Sequence, residues 1–273
     1  MGAVPTMREK VYRSAMEFFE IAEQKRNWNL FGDIPWDKLD SSLNSHKKAI
    51  CIETFCAEEL YLPDYSSRGM EIVRSSFGMA WFHARWSLEE SKHGLVFREY
   101  LVRSGMRSEA EFEALEKLVF SKTWQPPFGT PRRMYCYAAL QEGATYLAYK
   151  TQKDKADLAG DSVLSAIFNF VGRDEAAHWG FYRKVIELEL AEDRAGTLAD
   201  LALVISQFKM PADGLIPNYQ QRLKSSGAGI SSRNFVEHVL LPTLKTIGTD
   251  RAELRSARVI PAASEAPLAK LAS

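Results

Sequence analysis

The sequence predicts an all-α protein, a four-helix bundle with additional helices packed around it, on three observations. Apolar residues recur at helical spacing along most of the 273 residues. No alternating apolar and polar run is bounded by tight hairpin turns. A hydrophobic content of 46% beside 26% charged residues supplies one large core and excludes a mostly disordered chain.

The elements follow in order. A first helix is expected from Thr6 to about Asn27, then an aromatic, turn-rich connection, WNLFGDIPWDKLD, whose Gly32 and Pro35 disfavour regular structure. A second helix runs from after Asn44 through Glu59, with Pro63 ending or kinking it, and a third from about Met70 to Ser104, stopping at Gly105. Ser108 and Glu111 form a capping-box pattern for a short helix that fades before Pro126 and Pro127. Helix four is expected from Pro131 to Gln152, helix five from Asp161 to Leu190, and shorter ones near 197–209 and 232–247. Residues 1–250 are read as one domain and 251–273, small, polar and proline-containing, as a loose tail.

Thirty-five basic and thirty-five acidic residues cancel, so no global field favours nucleic acid or an anionic membrane. No apolar run reaches the roughly 18 residues of a membrane-spanning helix. The N-terminal segment has no apolar signal core, and a cytoplasmic location is expected. Cys51, Cys56 and Cys136 lack CxxC spacing and are read as buried thiols. The aromatic cluster Phe77, Trp81, Phe82 and Trp86 is read as helix core, and Lys47-Lys48 and Arg132-Arg133 as solvated faces.

Chemistry concentrates in two Glu-x-x-His pairs, Glu90/His93 and Glu175/His178. Positions i and i+3 of a helix share a face, so each pair can offer a carboxylate and an imidazole to one metal. A single pair carries little weight, but the pattern repeats: Glu59 precedes Glu90 by 31 residues and Glu142 precedes Glu175 by 33. Two such hairpins give four carboxylates and two imidazoles pointing inward, the ligand set of ferritin-like di-iron proteins. Glu59 sits on the stripe Ile52, Phe55, Cys56 and Leu62 and is preferred to Glu58, which shares its face with Cys51, Thr54 and Tyr61. Buried carboxylates cost several kcal/mol unless paired or metal-bound, and two cations compensate four of them. Iron in such a site suits oxygen chemistry better than hydrolysis, with manganese also accepted. His46, His83 and His238 have no comparable partner.

At the blocks EELYLPDY, WSLEESKHG, QEGAT and RDEAAH, in this order between about residues 55 and 190, the chain resembles the soluble acyl-[acyl carrier protein] desaturases. The resemblance implies that Glu59, Glu90, His93, Glu142, Glu175 and His178 hold two iron ions that react with O2. It implies that Asp174 hydrogen-bonds an iron-bound histidine, His93, that Thr145 lies beside the oxygen-binding position, and that Trp28 stands on the electron path to the surface. It further implies a homodimer taking electrons from ferredoxin and a fatty acyl thioester from acyl carrier protein, with residues near Met134 to Ala138 lining the acyl channel. The link from Trp28 to Glu59 and the first ligand hairpin are shorter than in the plant-type pattern. Two other readings keep the site: a di-iron hydroxylase or N-oxygenase of a small or carrier-bound molecule, and a ferroxidase or iron-storage protein.

Overall fold

A computed structural model describes residues 5–257, which form helices and, among the described residues, no strand. Helix α1, Met7–Ile21, is capped by the Thr6 hydroxyl and continues through a wide π turn, Ala22–Arg26, that carries Arg26 into the interior. Such turns are frequent at functional sites.

Four helices make the bundle: α2, His46–Glu59; α4, Phe77–Arg103; α6, Pro131–Leu158; and α7, Ser162–Glu192. Helix α2 packs on α4, α6 on α7, and α4 on α7. Between α2 and α4 lies a separate helix, α3, Leu62–Val73. The single third helix expected from Met70 to Ser104 is thus two helices, broken at residues 74–76. Pro63 does not kink α2 but occupies the first turn of α3, where a missing N–H costs nothing. Helix α5, Glu109–Phe120, has the reciprocal Ser108/Glu111 capping box. Helix α6 runs six residues past the expected Gln152, and Gly160, at φ +72°, turns the chain into α7.

The remaining helices brace the bundle: α8, Arg194–Gln207; α9, Tyr219–Ser226; α10, Ser232–Phe235; and α11, Leu241–Thr246. Helix α9, rich in Gln, Lys, Arg and Ser, has no apolar stripe and was not expected. A last helix, α12, Arg251–Ser256, is capped by Asp250 and tied to α8 by Arg194 and Glu253, 2.6 Å apart, so the expected tail is ordered through this turn. Its remainder from residue 258 lies outside the described residues.

Two close approaches set the spacing. A Cβ on Gly78 would lie 2.9 Å from the Tyr12 backbone, where α1 crosses α4, and one on Gly94 would lie 3.2 Å from Cβ of Glu59, where α2 meets α4. The core is split. One apolar cluster gathers Phe82, Leu140, Phe181 and Val185, and another gathers Ile52, Phe55, Phe97, Tyr149 and Phe168. Along α4, α6 and α7 the residues between these clusters are acids and histidines.

Two expectations about surfaces change. Phe82 and Trp86 are core, but Phe77 and Trp81 are 42% and 56% exposed, Phe77 stacking on Tyr12. The pairs Lys47-Lys48 and Arg132-Arg133 are not simply solvated: Lys48 pairs with Asp161, and Arg132 and Arg133 both pair with Asp200. Helix ends converge there, and the acids fix these cations. All three cysteines are buried and unpaired, His46 and His238 are exposed, and His83 is buried against Trp86. Among the described residues no helix is long and apolar enough to cross a membrane.

Candidate metal centre

The structure brings together Glu59, Glu90, His93, Glu142, Glu175 and His178, from the end of α2 and the middles of α4, α6 and α7, all buried. They fall into two overlapping quartets, Glu59/Glu90/His93/Glu175 and Glu90/Glu142/Glu175/His178, with donor atoms within 4.8 Å of one another in each. Glu90 and Glu175 belong to both. Around His93 Nδ1 stand Glu90 Oε2 at 3.2 Å, Glu175 Oε1 at 3.4 Å and Glu59 Oε1 at 3.9 Å. Around His178 Nδ1 stand Glu90 Oε1 at 3.0 Å, Glu142 Oε2 at 3.5 Å and Glu175 Oε2 at 3.9 Å. Each shared carboxylate therefore turns one oxygen to each imidazole, and Glu59 and Glu142 each serve one.

The ligands are also held by hydrogen bonds from residues outside the set. Tyr149 donates its hydroxyl to Glu59 at 2.6 Å, and Trp86 donates Nε1 to Glu142 at 2.9 Å. His93 Nε2 meets Asp174 at 3.4 Å, and His178 Nε2 meets Glu89 at 2.8 Å. A carboxylate beside Nε2 keeps a ring proton on that nitrogen, so that once the other proton is lost the Nδ1 lone pair would face the centre. Arg26 spans both acids, 2.6 Å from Asp174 and 3.0 Å from Glu89.

Eleven buried side-chain atoms lack a hydrogen-bond partner among the described residues, and five of them belong to the expected ligand set: Glu90 Oε1, His93 Nδ1, Glu142 Oε2, Glu175 Oε2 and His178 Nδ1. These five converge on one another at the middle of the set. Orphaned polar atoms are costly and rare, and five converging ones fit two cations. Burial, with Glu90 adding to it, raises Glu59 and Glu175 well above the usual carboxylate range. Burial opposes charge on the imidazoles too, yet surrounding carboxylates hold His93 and His178 well above an ordinary histidine. Glu89 is opposed by burial but held at about 2 by His178 and Arg26. Without cations, protons balance the acids.

Trp28 donates Nε1 to Asp174 at 2.8 Å, stacks on Phe170 and lies under Lys92. Thr145, three residues after Glu142, donates its hydroxyl to the Gln141 carbonyl at 3.1 Å and lines the adjacent cavity. That cavity is a cleft partly open to solvent, walled mostly by apolar and aromatic side chains with a few polar groups among them, the make-up usual for ligand pockets. Its wall includes Met134, Tyr135, Tyr137 and Ala138, from the segment expected to line a channel, and it reaches Glu59, Glu90, Glu142 and Glu175.

Sequence reasoning missed Glu89, Tyr149, Trp86 and Arg26 as supports of the centre. Glu89 hides in a Glu-Glu doublet, and the others are ordinary core or helix-end residues by pattern. Glu58, the alternative to Glu59, also lines the cavity; burial pushes its carboxyl up to about 8, against a hydrogen bond from Tyr219.

The fold is similar to that of a solved acyl-ACP desaturase structure, DesA2 of Mycobacterium tuberculosis, with a TM-score of 0.61 and 17% identity over 88% of this chain and 98% of that one. An R2-like ligand-binding oxidase from Sulfolobus acidocaldarius gives the same TM-score and identity over 89% and 94% of the two chains. Both place the chain among ferritin-like bundles. In sequence it is 25% identical over 236 residues to DesA1 of M. tuberculosis, named as an acyl-[acyl-carrier-protein] desaturase, covering 81% of this chain and 67% of that one. It is 28% identical over 210 residues to the chloroplastic acyl-[acyl-carrier-protein] desaturase 7 of Oryza sativa, 70% of this chain and 52% of the relative, so it spans about half of the plant protein. The profile of the family described as fatty acid desaturase matches residues 35–230. On this match, the chain belongs to the acyl-[acyl-carrier-protein] desaturase family.

Proposed function

We propose that the protein is an O2-dependent di-iron oxidoreductase that introduces a double bond into an acyl chain carried as an acyl carrier protein thioester. One observation carries this reading: two quartets of buried ligands share Glu90 and Glu175 and border a largely apolar cavity. Glu59, Glu90, His93, Glu142, Glu175 and His178 hold the irons. Bound there, the metal pair supplies the electrons that activate O2 for attack on an unactivated C–H bond.

The chain's own residues do the rest. Tyr149 and Trp86 fix Glu59 and Glu142, while Asp174 and Glu89 keep the imidazole protons on Nε2. The Thr145 hydroxyl, directed by Gln141, supplies a mobile proton beside the centre. Apolar and aromatic walls keep bulk water from the reacting carbon. Electrons from a ferredoxin-type donor enter at Trp28, whose indole hydrogen-bonds Asp174 and through it reaches His93. Exposed Lys122 and Lys209, two and one residues from the wall residues Trp124 and Met210, suit an acidic carrier.

A homodimer is part of the proposal. Phe77, Trp81, Ala84 and Leu88 form an exposed stripe on α4 at alternating four- and three-residue steps, continued one heptad on by Leu95, the spacing of a helix–helix seam. Sedimentation should report twice the chain mass.

The deciding experiment supplies the iron-loaded protein with ferredoxin, its reductase, NADPH, O2 and a series of acyl carrier thioesters, then weighs the products. Loss of two hydrogens supports desaturation. Gain of one oxygen moves the reaction to hydroxylation, and ferric mineral without any organic product moves it to a ferroxidase.

A further inference from the structure

The cavity wall contains one acid that is outside both ligand quartets. Glu58 precedes Glu59 on α2, so the two side chains diverge by about 100° around the helix axis. Glu59 joins the centre, and Glu58 faces the cavity among Tyr65, Trp124, Met134 and Met210. Tyr219 is buried nearby and its hydroxyl acts on the carboxyl, while Glu58 Oε1 is buried with no hydrogen-bond partner among the described residues. A hydrocarbon channel has no use for such an atom, and an unsatisfied buried oxygen is costly.

We propose that Glu58 is a specificity-determining residue: its unpartnered oxygen accepts a hydrogen bond from a donor group of the substrate, an amide N–H or a hydroxyl, close to the carbon that is oxidised. This rests on the acyl-chain reading above and sharpens it. The substrate is not bare hydrocarbon beside the centre, because Glu58 and Glu59 are neighbours lining the same space. The polar group has two sources, a substituent on the acyl chain or the amide-bearing arm that links it to the carrier.

Calorimetric titration of the metal-loaded protein separates them with three probes: dodecanoic acid, a set of monohydroxydodecanoic acids differing in position, and dodecanoyl-pantetheine. The expected result is that at least one polar probe binds about tenfold more tightly than dodecanoic acid, that Glu58→Met removes this preference, and that Glu58→Gln retains most of it. A preference confined to hydroxy acids assigns the group to the chain, and one confined to the pantetheine ester assigns it to the arm. If wild-type protein binds all three alike, or Glu58→Met keeps the preference, the assignment of Glu58 is overturned while the acyl reading stands. Should none bind, the acyl reading fails and this inference fails with it. The wild-type comparison decides even where Glu58→Met does not fold.

Discussion

His178 Nε2 sits 2.8 Å from Glu89, whereas His93 Nε2 sits 3.4 Å from Asp174, and what lies behind the two acids differs more than these distances. Behind Glu89 stand Arg26 and Arg85, with Glu23 on the far side of Arg85, an ion-pair cage. Behind Asp174 stand the same Arg26 and, in place of a second arginine, Trp28, a polarisable ring stacked on Phe170, with Lys92 and Arg173 over the two rings. The two halves of the centre repeat one ligand pattern, yet behind the arginine they share, one is closed by a further ion pair and the other by stacked aromatic rings. An internal repeat supplies the ligand pattern twice and sets it in two different surroundings.

The strongest way to break the repeat is at a shared ligand. Glu175→Ala removes an oxygen from both imidazole environments, so bound iron should fall from two per chain to near zero and turnover should disappear. Elemental analysis checks the iron, and circular dichroism should show helicity retained, because both apolar clusters remain. Glu142→Ala touches one quartet, and retention of about one iron per chain is the expected contrast.

The asymmetry itself is tested at the outer residues. Trp28→Phe should keep both metals but slow reduction by a protein donor by about 10–100-fold, whereas Glu89→Gln should weaken metal binding by a similar factor without a comparable defect in reduction of the metal that remains. Rapid-mixing measurements of metal reduction separate the two; equal defects in both variants would erase the distinction between the two surroundings.

Proton balance gives a milder effect. The metal-free site holds His93 and His178 protonated to higher pH than free histidine, so metal uptake must displace those protons. Metal affinity should therefore keep rising with pH above the range in which a free histidine titrates, with protons released on binding, measurable by titration in buffers of different ionisation enthalpy. Thr145→Val should leave iron content and affinity alone but waste O2 as peroxide, read as the ratio of O2 consumed to product formed. Smallest is Gly94→Ala: its Cβ at 3.2 Å from Cβ of Glu59 pushes α2 outward by a few tenths of an ångström, weakening metal at the His93 side by a few-fold.

Much of this site was legible because metal chemistry restricts residue types and helical geometry restricts spacing. Two Glu-x-x-His pairs, each preceded by a glutamate at a helix-hairpin distance, single out the six residues that the structure brings together. Glu89 and Tyr149 were not legible, because a support is defined by what it touches across the bundle. Helix α3 was missed for a local reason: Pro63 reads equally as a breaker or as a first-turn residue until neighbours decide. Phe77 and Trp81 looked like core because their period matches the buried stripe, and burial is a property of the partner face.

The sequence by itself determined the helical class, the two-hairpin repeat and the ligand types, since these depend on spacing along one chain. Only the tertiary structure decided that Glu90 and Glu175 serve both imidazoles, that Glu59 joins the centre while Glu58 only lines the cavity beside it, and that the acid behind one histidine meets a second arginine and the acid behind the other meets Trp28. Those facts are distances between residues as far as 148 positions apart, as between Arg26 and Asp174, and no local pattern encodes them.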